Sequence, residues 1–398
     1  MNVFVIPSWY PSAANPHAGL FVREQVEALA ALRPDWRLVV GGWGHHDGAL
    51  SLRSLRSSLR ALGWRWRAGE GGWRRHGAID EAVSPALTWT LGLLGGGAAG
   101  LLRATRRNLE RMTQRFGAVQ LMHAHVAYPA GWIAARLSAQ TGIPYVLTEH
   151  MGPFPFPALR TRDGGLRAEL REAFEHAAAS VAVSPALAER IRAEGLPCTH
   201  VIPNLVDERR FLPGDPAPRP FVLLSIAAQT HHKGIDTLLR AFARWNPPAG
   251  DVELRIGGAG PQAAAHRQLA RALGVDDRVR WLGALAPQDV PQHVVACHAF
   301  VLASRHETFG VVLAEALACG KPVLATRCGG PESIVHDGNG RLVAVDDVPA
   351  LAEALAWMRA RAAEFDAAAI RADALRRFSR AAVAGRLAAL YESVIARR

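Results

Sequence analysis

Lysine is almost missing from this chain: of 46 basic residues only Lys233 and Lys321 are lysine, and the other 44 are arginine. Cysteine is scarce too. Cys198, Cys297, Cys319 and Cys328 show neither CxxC pairing nor the density of a stapled secreted domain, so a disulfide framework is excluded and a reducing cytoplasm is expected. No DxD sequence occurs, which removes the usual aspartate pair for a divalent metal; the site is expected to work without metal or cofactor. The start, MNVFVIPSWYP, has no basic stretch ahead of its apolar run and reads as a first β-strand rather than a signal peptide. Long apolar runs are lacking as well. Ala86 to Leu102, about 17 residues, is at the short limit for a spanning helix and carries three consecutive glycines, so a buried or monotopic segment is the better reading.

What is present is a chain of 398 residues, 49% hydrophobic and 20% charged, the profile of a globular protein long enough for two domains. Short β-branched runs alternate with amphipathic stretches. Val3 to Ile6, Leu38 to Val40, Val119 to Met122, Tyr145 to Leu147 and Ser180 to Val183 read as buried parallel strands of a first half. Phe221 to Ile226, Val252 to Ile256, Val279 to Leu282, Ala299 to Leu302 and Val323 to Ala325 repeat the scheme. Between them FLPGDPAPRP, Phe211 to Pro220, with four prolines and one glycine, can continue neither structure type. The fold class is therefore α/β, with two doubly wound parallel-sheet domains whose ligands bind in the crevice at the carboxyl ends of the strands. The net charge of +11 lies largely in the first third. Arginines between 53 and 76, interleaved with Trp64, Trp66 and Trp73, and again between 103 and 115, suit an anionic membrane surface; the alternative is a solvated basic face. No nucleic-acid module accompanies them, and nucleic acid is not expected as a partner.

The most informative stretch is SRHETFGVVLAEALACGKPV, Ser304 to Val323. A strand, a loop from Ala303 to Thr308 and a helix from about Phe309 to Ala318 put Glu307 at the crevice edge. Beside it, the backbone N–H groups of Thr308, Phe309 and Gly310 would attract an anion. Glu315 lies two turns into the helix and could reach a ligand hydroxyl; the alternative is that Glu307 caps the helix and Glu315 pairs with an internal arginine. Lys233, in HHKGIDTLLRAF, follows the first strand of the second half, where a compact ammonium could hold a diphosphate. Lys321 follows the helix end and reads as satisfying terminal carbonyls.

These two motifs together resemble those of the retaining GT-B glycosyltransferases of family 4. SWYPSAANPHAGLFVREQVEALA is similar to their acceptor-side glycine loop and first helix, and VIPNLVD to their crossing between domains. The resemblance implies two Rossmann-like domains facing a central cleft: residues 1–212 on the acceptor side, completed by a last helix at 381–398, and residues 213–380 binding the donor. It implies a hexose moved from a nucleotide-diphosphate sugar to a lipid-linked, glycolipid or polysaccharide acceptor, on the inner face of the membrane. Glu315 would hold the ribose, Glu307 and the backbone after it the transferred sugar, and Lys233 the diphosphate. Gly258 and Gly260 would lie beside base and ribose, Gly19 beside the donor phosphate, and His125, in MHAHVAYPAG, at the reacting centre. His150, in TEHMGP, matches a second histidine position on the acceptor side. Family members commonly carry an arginine five or six residues before the lysine. Here Ala228 and Ala227 stand there, leaving His231, His232 or Arg305 as substitute cations.

Rival readings are a GT-B epimerase or hydrolase of nucleotide sugars, and an inactive membrane-surface scaffold. A dinucleotide-dependent oxidoreductase is suggested by the GxGxxA at Gly258 to Ala263, but its acidic pair, Asp276 and Asp277, precedes the next strand instead of ending it.

Overall fold

The computed structural model describes residues 1–11, 17–43, 71–84, 86, 96–216 and 219–397. The arginine- and tryptophan-rich stretch from Arg53 to Glu70, and most of the apolar run after Ala86, lie outside the described residues. Two compact units are present: residues 1–183, 188–202 and 384–398 form one, residues 184–187 and 203–383 the other. The main division falls at Ile202/Pro203, ahead of the proline-rich stretch.

In the first unit the strands are β1 (Asn2–Pro7), β2 (Arg37–Gly42), β3 (Gly72–His76), β4 (Ile79–Val83), β5 (Leu121–His125), β6 (Tyr145–Glu149), β7 (Ala179–Ala182) and β8 (His200–Val201). They line up as β3-β4-β2-β1-β5-β6-β7-β8, all parallel except β3, which turns back antiparallel on β4 at the edge. This hairpin was not legible by periodicity: GWRRH exposes Arg74, Arg75 and His76, and IDEAV carries Asp80, buried and bridged to Arg37 at 3.3 Å. The expected strand at Val119 to Met122 starts later and runs on to His125. Its two histidines look polar in the sequence but are buried in the sheet.

The second unit holds β9 (Phe221–Ile226), β10 (Val252–Gly257), β11 (Val279–Gly283), β12 (Ala299–Leu302), β13 (Val323–Thr326) and β14 (Gly340–Val343), ordered β11-β10-β9-β12-β13-β14 and all parallel. The helix Ile235–Trp245 presents Ile235, Leu238, Leu239 and Phe242, spaced i, i+3, i+4 and i+7, to Leu223, Leu254, Ile256 and Val301 of this sheet. Parallel strands covered on a face must be apolar along their length, which is why they were readable.

In each sheet the strand order reverses once beside the first strand of the unit: between β1 and β5, and between β9 and β12. At such a switch point the connections leave in opposite directions and open a crevice at the carboxyl ends. Phe242→Ala, a cavity in the second core where the native ring is fully buried, should cost ~3–5 kcal/mol in urea unfolding. A loss under about 1 kcal/mol would contradict the packing described.

Candidate active site

The exits of β9 and β12 carry the charged part of the site. After β9 the chain passes through Ala227 and Ala228 to a tight turn, His231–Lys233, and the helix Ile235–Trp245. After β12 come Ser304 and Glu307, then the helix Val311–Ala318, which starts two residues later than expected because its N-cap, Gly310, sits at φ 95°. Lys233 Nζ donates to Glu307 Oε1 at 2.6 Å, and Ser304 Oγ donates to the same oxygen at 2.8 Å. Among the described residues Glu307 Oε2 takes no hydrogen bond. The backbone of Glu307 is itself pinned: its carbonyl accepts from Gly330 N–H at 2.9 Å.

Arg305 does not offer a cation to this crevice. Its guanidinium is bracketed by Asp236 at 2.8 and 2.9 Å and by Asp346 at 3.0 Å through Nε, and it donates to the His231 carbonyl at 2.6 Å. It therefore anchors the turn that carries Lys233, and of the three substitute cations only His231 and His232 remain. His232 is held toward its neutral form by partial desolvation, with Lys233 adding. Lys321 is structural, as expected, but its partner is the Gly214 carbonyl, at 2.6 Å, rather than the helix end it follows.

Gly258 and Gly260 line the turn after β10. A Cβ on Gly258, whose φ is 116°, would lie 1.9 Å from the Ala227 carbonyl oxygen, and one on Gly260 would lie 2.4 Å from that of Gln229. The turn is held from behind by Gln229, whose Nε2 donates to the Gly258 carbonyl at 2.9 Å while its Oε1 meets His266 Nδ1 at 3.0 Å. Neither Gln229 nor His266 was picked out from the sequence. Thr308 flanks the helix start, the Phe309 ring is buried edge-on against Phe378, and Glu315 is half-buried on the helix. Phe309 can thus contribute only backbone to a ligand.

In the first unit Gly19 caps the helix Leu20–Leu32 at φ 63°, where a Cβ would strike the Trp9 carbonyl. Across the β1/β5 switch point, Ser8 N–H donates to the His125 carbonyl at 3.2 Å. His125 ends β5, fully buried; its Nδ1 meets His150 Nε2 at 3.0 Å, while its Nε2 has no partner among the described residues. A third histidine, His123, lies against His125 with ring centroids 4.0 Å apart, held by Thr148 Oγ1 at 2.8 Å and by the Tyr391 hydroxyl at 2.5 Å. Tyr391 comes from the last helix, Arg380–Ala396. The periodicity gave no sign of His123 or Tyr391 as parts of this cluster. The repeated histidine of HAH, facing one way on a strand, was the available signal.

Burial pushes His123 down to about 3 and holds His125 well below the ordinary histidine value, with the neighbouring rings adding to both. Both are neutral in the folded chain, where an unfolded histidine would charge below about 6.5.

The comparisons agree with this geometry. Residues 210–371 match the family Glycosyl transferases group 1, and residues 18–210 match Glycosyltransferase Family 4. The chain belongs to the group 1, family 4 glycosyltransferases. To the GDP-mannose-dependent alpha-(1-6)-phosphatidylinositol monomannoside mannosyltransferase of Mycolicibacterium smegmatis it is 31% identical over 173 residues, 39% of this chain and 45% of that one. To D-inositol 3-phosphate glycosyltransferase of Saccharomonospora viridis it is 30% identical over 280 residues, 62% of this chain and 64% of that one. The chain thus spans less than two thirds of the length of these relatives. HepE of Anabaena, solved in complex with UDP, superposes with a TM-score of 0.71 at 21% identity over 98% of this chain and 99% of its own. That likeness is one of fold, the GT-B fold.

The neutral histidines set a pH dependence. Between about 6.5 and about 3 the unfolded chain takes up protons that His123 does not accept when folded, so stability falls as pH falls. Glu149, raised by burial, opposes this above its ordinary value. His123→Asn should flatten the pH slope of the urea-unfolding free energy by up to ~1.4 kcal/mol per pH unit within that window. An unchanged slope would contradict the burial of a neutral imidazole.

Proposed function

We propose that the chain is a retaining hexosyltransferase that takes its sugar from a nucleotide-diphosphate donor without a metal and passes it to a lipid-linked, glycolipid or polysaccharide acceptor. The observation that carries the reading is the Lys233–Glu307 pair at the β9/β12 switch point, followed by the start of a helix.

The chemistry needs charge neutralised as a diphosphate departs. Lys233 supplies a full positive charge, and the helix start after Gly310 supplies partial positive charge from its N–H groups. Glu307 Oε2 is left to accept from a sugar hydroxyl, since Oε1 is already taken by Lys233 and Ser304. Glu315 reaches the ribose from the helix, and Gly258 and Gly260 keep the turn beside the base free of side chains. In the first unit His125 keeps its Nε2 open, a nitrogen suited to a sugar hydroxyl. In the step itself the bond between the anomeric carbon and the diphosphate oxygen breaks, and its electrons leave with the phosphate. The acceptor hydroxyl attacks from the same face through an oxocarbenium-like state, and its proton goes to the departing phosphate oxygen. No carboxylate nucleophile is required, unlike in retaining hydrolases.

Uridine donors are the first to test, because HepE was solved with UDP and with UDP-glucose. GDP-mannose is the second, since it is the donor named for the Mycolicibacterium relative. The acceptor reading draws support from the relatives named for phosphatidylinositol monomannoside and inositol phosphate. It also draws on the basic helix Gly96–Phe116, where Arg103, Arg106, Arg107 and Arg115 are exposed. We place this face on anionic lipid headgroups at the cytoplasmic side. Among the described residues no helix is long and apolar enough to cross a membrane. Trp73, assigned to headgroup depth by its sequence context, instead packs edge-on against Phe116 with the Arg115 guanidinium 4.7 Å from its ring centre.

The test is thermal stabilisation by a panel of UDP-, GDP-, ADP- and dTDP-sugars with NAD(P) as control, followed by transfer with the responsive donor. Lys233→Ala and Glu307→Ala should each lower kcat/KM by about 10²–10³-fold, the usual loss on removing a group that stabilises transition-state charge. Undiminished transfer in either variant would refute the assignment, and product of inverted anomeric configuration would refute retention. An epimerised or hydrolysed sugar without transfer would favour the rival enzymes. Loss of binding to phosphatidylglycerol vesicles when Arg103, Arg106 and Arg107 are changed to Gln is expected; unchanged sedimentation would remove the membrane from the reading.

A further inference from the structure

Glu149 is a buried carboxylate that the chemistry above does not use. It ends β6, is 1% exposed, and receives three backbone N–H groups: His150 at 2.8 Å and Met151 at 2.7 Å on Oε1, and Ala127 at 2.9 Å on Oε2. An ionised group placed in an apolar interior is costly, so its retention calls for a physical return. Burial raises its pKa, and the three N–H donors oppose that rise by favouring the charged form.

What the three bonds achieve is a tie between two chain segments. Ala127 leaves β5 two residues beyond His125; His150 and Met151 leave β6. Between His125 and Ala127 stands Val126, a β-branched residue at φ 75° and ψ 132°, outside the regions such residues normally adopt. Strain of this kind persists only where surrounding bonds over-determine the backbone. Here they do: Val126 N–H donates to the Thr148 carbonyl at 2.7 Å, its own carbonyl accepts from Gly131 N–H at 3.0 Å, and Glu149 holds the next N–H. The result is that two imidazoles from neighbouring strand exits meet nitrogen to nitrogen at 3.0 Å, with rings 26° apart. Phe21 covers His150 at a centroid distance of 4.3 Å, and His123 covers His125. Of the two facing nitrogens one donates and the other accepts, so the state of His125 Nδ1, and the complementary state of its open Nε2, is coupled to the tautomer of His150.

We infer that Glu149 is a positioning residue: by tying the exits of β5 and β6 it lets His150 fix the orientation and tautomer of His125, so that His125 Nε2 faces the sugar in one defined form. The inference rests on the reading of His125 given above. It removes His150 from direct work on the acceptor and gives it a role through His125.

The experiment uses the whole chain labelled with 15N-histidine, in wild type and in Glu149→Gln, which keeps the shape but sets an amide NH2 against at least one N–H donor. In the wild type the His125 ring should give one protonated and one bare nitrogen resonance, assigned by their loss in His125→Ala. In Glu149→Gln these should move toward the averaged values of interconverting tautomers. Alongside, kcat for the donor identified by the stabilisation panel should fall about 10–100-fold, the scale of a small misplacement at a reacting centre. KM for the donor should stay within about twofold, because uniform donor binding is left intact. Wild-type histidine resonances with unchanged kcat in folded Glu149→Gln would overturn the inference, as would a fall in kcat with the resonances unmoved. If Glu149→Gln does not fold, His150→Asn keeps the three hydrogen bonds and removes the ring partner. It should show the same tautomer averaging and fall in kcat, and an unmoved spectrum or kcat would again overturn the inference. Full transfer by His125→Ala would instead sink the reading of His125 itself. An inactive His125→Ala with a fully active Glu149→Gln would sink only the positioning role.

Discussion

The ion pair between Lys233 and Glu307 joins the two strand exits at which the second sheet reverses its order. Much of that unit's local structure bears on it. Arg305 fixes the turn that carries the lysine by holding the His231 carbonyl, with Asp236 and Asp346 compensating its charge. Ser304 and the segment from Cys328 to Gly330 fix the glutamate. A pair so supported is pre-oriented, so that on the proposed function an arriving diphosphate would meet an ammonium already held in position by the fold. With Ala227 and Ala228 in place of a second cation, the proposed function asks Lys233 and the helix start to carry the charge compensation, with His231 and His232 as the remaining cations near the turn. This gives a physical reason for one of the chain's two lysines to be a lysine: a compact point charge can serve Glu307 and a phosphate in turn, whereas a planar guanidinium would commit its fork to one partner.

The first unit uses the same construction for a different end. Its switch point lies between β1 and β5, and burial keeps His123 and His125 neutral there, packed with His150 and closed on one side by Tyr391. The one formal charge buried with them, on Glu149, faces backbone N–H groups. Neutral imidazoles suit a hydroxyl-bearing ligand, for they can donate or accept without attracting counterions.

The fold was largely legible because parallel strands covered by helices must be apolar along their length, and most of the expected runs became strands. The elements missed were those that break this rule. The β3–β4 hairpin is an arginine-bearing edge, β14, reading GRLV, is interrupted by the exposed Arg341, and β8 is only two residues long. In the site, Glu307, Glu315 and Lys233 could be singled out because carboxylates and lysines are unusual in their surroundings. Arg305 misled for the complementary reason: one sequence does not show that Asp236 and Asp346, 69 and 41 residues away, converge on it. Glu149 was not read from the sequence, because its task lies in bonds to backbone, which composition and spacing do not record. Tyr391 reaches His123 across 268 residues of chain, a contact that only the folded topology creates.

The central claim is that Lys233 holds the second phosphate of a nucleotide donor. Titration calorimetry of the wild type and Lys233→Ala with UMP and UDP, or the corresponding pair for whichever base the stabilisation panel identifies, tests it most directly. The wild type should bind the diphosphate at least about tenfold more tightly than the monophosphate, a charge-assisted contact of roughly 1.4 kcal/mol or more. That preference should largely vanish in the variant while monophosphate binding changes little. A diphosphate preference that survives intact in Lys233→Ala would contradict it.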